Sequence, residues 1–460
     1  MKGGTEIRGA RRHKGDVRRL DEQVREAVGG ERDDAGGAGV CAVDAWFETV
    51  RDQQYTRKLL FSSVLAIMLE VVCKHRGSIS EAFRHQADVG GTLTALYDKV
   101  SRTETSTARA LVQMVAQRTI PVIDAMGGAK AAPLPGYRTR ILDGNCLKKS
   151  EHRLKVLHNC QAAPLPGKSL VIFDPQYDIA CDVIPCEDAY VQERALLDQV
   201  VPLVQPNDLW LADRNFCVAH FLADIHQQGA YFVIRHHRQL RYEALGPEQP
   251  CGTSETGELF EQPVRITDAQ SGRTLELRRV VVRLFTPTGQ GEAEITLLSN
   301  LPPAVTTAKI AELYRARWGI EGAFQRLENH LKSEIDTLAY PKAALFGFCV
   351  GLVAFNLLAL IMAALRTAHP EADCDNTFST DYLAREISTI RPGMLLALDD
   401  QHWAPFRHAE PSQFAAMFLY LAANVPLATF RKAKRRPKKP PQPRTEFSGR
   451  PHVSTARLLA

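Results

Sequence analysis

The 460-residue sequence predicts an α/β fold, a mixed sheet with a β-rich insertion flanked by N-terminal and C-terminal helical regions. Three observations carry that expectation. Apolar residues recur at helical spacing from about Ala45 to Ile123, and again after Pro302-Pro303. Between Tyr137 and about His236, short β-branched and aromatic runs alternate with helical stretches. From about Arg238 to Asn300, Gly and Pro turns separate further runs such as Val280-Val281-Val282 and Ile295-Thr296-Leu297-Leu298.

Residues 1–40 are dominated by Gly, Arg, Asp and Glu and are expected to be disordered. In 41–130, Leu59, Leu60, Val64, Ile67, Met68 and Val71 form one helical stripe, and Leu111, Val112 and Val115 another. Ser78-Ile79-Ser80-Glu81 reads as a helix start, and 101–106 as a polar turn and cap. Arg84, His85, Lys99, Arg102 and Arg109 fit either a DNA-reading unit or a bundle with a solvated basic face. The string AAPLPG occurs at 131–136 and again at 162–167. Six residues do not make a structural repeat, and both copies read as turns.

Within 137–236, Arg140-Ile141-Leu142-Asp143 reads as a strand, Leu154-Lys155-Val156-Leu157 as a second, and Leu170-Val171-Ile172-Phe173 as a third. A helix over 190–201 turns Leu196, Leu197 and Val200 inward. Leu209-Trp210-Leu211-Ala212-Asp213 is a fourth strand; a helix over 218–228 ends at Gly229, and Tyr231-Phe232-Val233-Ile234 is a fifth strand. Three strands, helix, strand, helix, strand is the order of a ribonuclease-H-like sheet, in which first and fourth strands are neighbours. The β-rich insertion follows at 237–300, a helix returns to the core at 301–340, and helices continue over 341–430. The Pro-rich tail, 431–460, carries nine Lys or Arg between Arg431 and Arg450 against the single Glu446. Such a tail attracts phosphates at low salt or serves as a solubilising end.

With 45% hydrophobic and 24% charged residues, the chain has the composition of a soluble globular protein, and its net charge of +5 argues only weakly for a nucleic-acid partner. Ten cysteines with no CxxC pair and no His/Cys cluster exclude a zinc-finger reading, and reduced thiols in a cytosolic compartment are expected. No apolar segment follows the basic N-terminus, so secretion is not expected. Residues 345–365 are apolar and long enough to span a bilayer. Asn356 near their middle and the lack of a second such segment favour a buried helix, so no membrane partner is expected.

Two aspartates sit at matching places: Asp143 in the first strand (ILDGN) and Asp213 at the end of the fourth (LWLADRNF). Either alone reads as a turn former. In the expected sheet order they meet at one edge, where like charges need a cation to coexist. Tyr314, Arg317 and Glu321 are spaced i, i+3, i+7 and share one helical face. That stripe is an odd packing face; solvated charge pairing is the plainer alternative. Three hard oxygen ligands suit one or two Mg²⁺ or Mn²⁺ ions. A two-ion site activates a water or a DNA 3′-hydroxyl and stabilises the leaving oxygen. The expected reaction is phosphodiester hydrolysis followed by strand transfer, with Tyr314 and Arg317 holding phosphates.

The segments LDGN, LADRNF and YRARWGIE resemble the three catalytic segments of IS-four-type insertion-sequence DDE transposases, whose third segment carries a Tyr-x2-Arg-x3-Glu-x6-Lys signature. The resemblance runs from about Tyr137 to the end, HVSTARLL included. It implies that Asp143, Asp213 and Glu321 bind divalent metals and that Tyr314 and Arg317 contact DNA near the transposon end. It also implies double-stranded DNA with inverted-repeat ends as partner, a homodimer on DNA, and a cytoplasmic protein associated with the bacterial nucleoid. The family's lysine falls on Glu328, a departure, and Lys332 is the candidate stand-in for that DNA contact. Trp318 is expected in the core, and Arg235-His236-His237-Arg238 at DNA or in a solvated turn. The expected function is thus a transposase that binds element ends, cleaves DNA and transfers strands. The alternatives are an inactive transposase remnant that only binds DNA, and a protein anchored through 345–365.

Overall fold

The computed structural model describes residues 42–54, 58–86, 89–148, 150, 154–158, 163–289, 291–380, 382–384, 409–432 and 452–460. The expectation of disorder at 1–40 and most of the basic tail lie outside the described residues.

The helical stripes of the N-terminal part become α1 (Ala42–Val50), α2 (Phe61–Val72), α3 (Ile79–His85), α4 (Leu93–Arg102) and α5 (Thr105–Met126). Ser78 caps α3 by accepting the Glu81 N–H, and Thr92 caps α4 by accepting that of Ala95. Gly127, at φ 68°, closes α5 in the left-handed region. These helices build no core of their own: Phe61, Ile67 and Leu111 share one with Val171, Phe173 and Phe346 of the later elements. Two of the five basic side chains considered for DNA reading are spent on this packing. Arg109 forks onto the buried Asp182 at 2.9 and 2.8 Å, and Lys99 donates to the Leu59 carbonyl. Arg84, His85 and Arg102 are exposed.

The sheet begins with β1 (Arg138–Cys146), β3 (Lys168–Asp174), β4 (Ile179–Cys186), β5 (Asp208–Ala212) and β6 (Tyr231–Arg235), with β2 (Ala163–Leu165) set apart. Its order is β4-β3-β1-β5-β6, antiparallel through β4, β3 and β1 and parallel through β1, β5 and β6. The expected neighbours therefore meet, with Leu142 of β1 opposite Ala212 of β5. Every residue of β3 and β5 is buried, which is why their sequences run apolar without alternation. Helix α6 (Ala219–Gln227) links β5 to β6 and is closed by Gly229 at φ 70°.

Two elements depart from expectation. Residues 154–157 form no strand: Lys155–Leu157 is a short 3₁₀ turn in which Leu157 alone is buried. The hairpin partner of β3 is β4 instead, disguised by Asp182 and Pro185 in its run. The helix expected over 190–201 is two 3₁₀ turns, Glu193–Gln199 and Val201–Leu203, and Pro202, with no N–H to donate, keeps the second from continuing the first. Leu196, Leu197 and Val200 face inward as expected.

The insertion contains β7 (Glu243–Ala244), β8 (Gln249–Thr253), β9 (Gly257–Thr267), β10 (Thr274–Leu284) and β11 (Glu294–Ser299). It is β-rich, but it is no separate body. Leu298 of β11 pairs with Ile234 of β6, so the hairpins extend the core sheet to ten strands.

The chain then forms α7 (Thr307–Ala316), α8 (Trp318–His330), α9 (Pro341–Ala368), α10 (Cys374–Thr377) and α11 (Pro411–Ala423). Finally β12 (His452–Ser454) pairs in parallel with β2, and α12 (Thr455–Leu459) follows. Among the described residues α9 alone is long and apolar enough to cross a membrane, and its apolar window is 83% buried inside the fold. A Cβ on Gly351 would stand 2.7 Å from that of Ser333, so glycine is what lets α9 pack so closely there. Asn356, fully buried on α9, accepts the Ala180 N–H and donates to its carbonyl, both at 2.9 Å. One amide thus closes the edge of β4. Asn356→Leu leaves both Ala180 groups buried and unpaired, and a loss of about 2–4 kcal/mol in denaturant-measured stability is expected; an unchanged midpoint would contradict that role.

Candidate active site

Parallel pairing places the two aspartates. Asp143 and Asp213 each follow the last β1–β5 pair, Leu142 opposite Ala212, and so stand at the same end of adjacent strands. Side chains alternate along β1, so Asp143 shares the face of Ile141, the face covered by the helices. From that face Arg317 approaches. Its Nη1 lies 3.5 Å from Asp143 Oδ2, and its Nη2 donates to Glu321 Oε1 at 2.7 Å. One guanidinium therefore joins two members of the expected acidic triad.

The helix does not run straight through these residues. α7 ends and α8 begins around Arg317, which keeps right-handed dihedrals (φ −53°, ψ −36°) while its N–H bonds the Tyr314 carbonyl in a tightened turn. Tyr314, Arg317 and Glu321 stay on one side across the junction. Arg317 is 6% exposed, packs 5.6 Å from the Tyr314 ring centroid, and keeps a buried Nε with no hydrogen-bond partner.

Charge and burial shape the titration of the group. Burial pushes the Asp143 carboxyl from its ordinary 3.8 up to about 6, against Arg317 and the Gly144 N–H, while Glu321 and Asp213 raise it further. The charges of Asp213 and Glu321 thus reach Asp143. Burial opposes the Arg317 charge, but Tyr314, Glu321 and Asp143 hold it above its usual value. Burial also raises the Tyr314 phenol, with Asp213 adding to it. Arg235, at the end of β6, belongs to the same field: burial works against its charge, while Glu292, Tyr314 and Asp213 favour it.

The remaining expected residues fall elsewhere. Lys332 lies beyond the end of α8, where its N–H bonds the Val72 carbonyl and its Nζ donates to that of Gly77 at 3.1 Å. It ties the catalytic side to the N-terminal helices, away from the triad contacts. Glu328 pairs with Lys148 at 2.6 Å, five residues after Asp143, so the reversed charge at this position carries its own cation. Trp318 is not a core residue; it is 53% exposed, because the junction at Arg317 turns it outward while Ile320 and Ala323 take the buried face. Sequence reasoning also missed Arg214 and Glu292; the signal for the first was its place in LADRNF.

Residues 135–357 match the family model of the transposase DDE domain. The matched span contains Asp143, Asp213, Tyr314, Arg317 and Glu321. It supports the DDE-transposase resemblance without singling out the Tyr-Arg-Glu-Lys signature. No curated protein matches the chain. Among solved structures, the cryo-EM structure of a piggyBac transposase synaptic complex with hairpin DNA is similar at 11% identity, over 79% of this chain and 85% of that one, with a TM-score of 0.35.

A DDE domain implies a divalent cation. The donors are of the right chemistry, since the charges of Glu321 and Asp213 both act on Asp143, and a cation, the Arg317 guanidinium, lies between Asp143 and Glu321. Among the described residues no three His, Cys, Asp or Glu side chains are close enough to share one ion.

The raised Asp143 carboxyl gives a pH prediction. Its folded value lies above the unfolded one, so its contribution to stability is full below about 3.8 and is lost as pH rises through about 6. Asp143→Asn should therefore raise stability by ~1–3 kcal/mol at pH 8 and by nothing near pH 3.5. Thermal melting across that range checks it, and equal gains at both ends would remove the account of the shift.

Proposed function

We propose that the protein is a DNA transposase that binds the inverted-repeat ends of its element, cleaves DNA and transfers strands, using divalent metal. The carrying observation is that Asp143 and Asp213 stand at the same end of adjacent parallel strands, while Arg317 of the α7–α8 junction bridges Asp143 and Glu321. The strand order β4-β3-β1-β5-β6, with the first strand central and parallel to the fourth, is consistent with a ribonuclease-H-like core. The match over 135–357 supports the same reading.

In this reading Asp143, Asp213 and Glu321 hold Mg²⁺ or Mn²⁺, which supplies an activated oxygen nucleophile and stabilises the leaving oxygen. The chain's own residues do the positioning. The sheet fixes the two aspartates, Arg317 orients Glu321 and offsets the charge of Asp143, and Tyr314 packs behind the guanidinium. Arg317 would also offer donors to a DNA phosphate. DNA ends are paired by a second copy of the chain, and the protein acts in the cytoplasm at nucleoid DNA.

An inactive remnant was the alternative suggested by Glu328. The Lys148–Glu328 pair supports the catalytic reading over it, since the acidic side chain is neutralised and a cation remains close to its position. The test is cleavage of a duplex carrying the inverted repeat that flanks the gene. Asp143→Asn, Asp213→Asn and Glu321→Gln should each lower cleavage in Mg²⁺ at least ~100-fold while end binding persists. Specific end binding by the wild type without any cleavage would return the remnant reading.

A further inference from the structure

The loop between β10 and β11 delivers one acid to a cluster of arginines beside Asp213. Arg214 directly follows Asp213, and Arg235 is the last residue of β6, the strand paired with β5. Glu292 Oε1 accepts from Arg235 Nη2 at 2.7 Å and from Arg214 Nη1 at 3.3 Å. The Arg235 hydrogen bond, with the charges of Arg235, Arg214 and Arg238, holds the Glu292 carboxyl below its ordinary value. The cluster opens into a groove of about 810 Å³ that continues along Arg238, His237 and Arg279.

Two guanidiniums side by side repel unless an anion lies between them. Here one carboxylate oxygen collects donors from both, the contact that a phosphate oxygen makes with paired arginines. Glu292 comes from outside the catalytic strands. Its loop is held to itself, the Thr288 N–H bonding the Glu292 carbonyl at 2.9 Å and the Glu292 N–H bonding Thr288 Oγ1 at 3.1 Å. Gly291, at φ 81°, gives the backbone beside Glu292 a conformation that side chains rarely adopt. On the other side, the Asp213 charge reaches Arg235, so the cluster borders the acidic centre.

We propose that Arg214 and Arg235, with Arg238 beside them, form a phosphodiester-binding subsite next to Asp213, and that Glu292 fills it as an internal anion which a DNA phosphate displaces. The subsite rests on the DNA reading above. Glu292 then acts as a competitor: it weakens binding of any phosphate backbone, and cognate DNA overcomes it with contacts made elsewhere.

The test is fluorescence anisotropy with a labelled mixed-sequence duplex over a series of salt concentrations. Glu292→Gln should tighten binding several-fold at low salt. Arg235→Gln and Arg214→Gln should each weaken it and lower the slope of log K against log salt by about 1. Opposite signs for the acid and its arginines are the diagnostic. Glu292→Gln binding no tighter than a wild type that does bind duplex would overturn the subsite, as would arginine variants with an unaltered slope. A salt pair that only pins the hairpin would show melting losses in all three variants with no such split. The Arg214 side chain is 45% exposed, so its variant decides the matter should Arg235→Gln fail to fold. A wild type that binds no duplex at any salt sinks the DNA reading, and the subsite with it.

Discussion

The Arg317 guanidinium between Asp143 and Glu321 is the contact on which the geometry of the site depends. Parallel pairing of β1 with β5 brings Asp143 and Asp213 to one edge whether or not their charges tolerate it. Backbone hydrogen bonding makes that placement, and the electrostatics must adapt to it. The adaptation is visible in the raised Asp143 carboxyl and in a buried arginine with one N–H left without a partner. A second internal counter-ion stands on the other side of Asp213, where Glu292 joins Arg214 and Arg235. The free chain thus carries a cation where metal is expected and an anion where phosphate is proposed.

The rest of the fold keeps that edge in place. α9 lies buried against the sheet and closes β4 through Asn356. Arg326 on α8 forks onto Asp178 at 2.8 and 2.7 Å, fastening the helix that carries Glu321 to the turn between β3 and β4. Asp178 sits at φ 59°, a strained conformation for a residue other than glycine, and places its buried carboxylate for that fork. At the far end of α8, Lys332 and Lys74 bond carbonyls across the seam to the N-terminal helices. These helices are therefore hydrogen-bonded to the end of the helix that carries Glu321.

The parts of this arrangement that were legible in the sequence are those set by local pattern. β1, β5 and β6 announced themselves as apolar runs bounded by turn residues, and their order placed the two aspartates together. The Tyr314, Arg317, Glu321 stripe survived even a break in its helix, because the junction keeps right-handed dihedrals. What failed was decided by distant partners. Asp182 made β4 look unlike a strand, yet Arg109 and Gln113 neutralise and bond it from α5. Lys332, the candidate stand-in, lies past His330, where α8 stops, so it does not continue the helical face of Glu321. Glu328 looked like a defect because Lys148 lies 180 positions away in sequence. Trp318, expected in the core, is exposed because of the turn before it.

The central claim is that Asp143 and its acidic neighbours form a cation site which Arg317 occupies in the free chain. The most direct measurement is Mn²⁺ binding followed by electron paramagnetic resonance at pH 7.5, on the wild type, Asp143→Asn and Arg317→Gln. The account predicts that the wild type binds Mn²⁺, that Asp143→Asn loses this binding, and that Arg317→Gln binds at least as tightly as the wild type. Undiminished binding by Asp143→Asn, or loss of binding on removing Arg317, would contradict it.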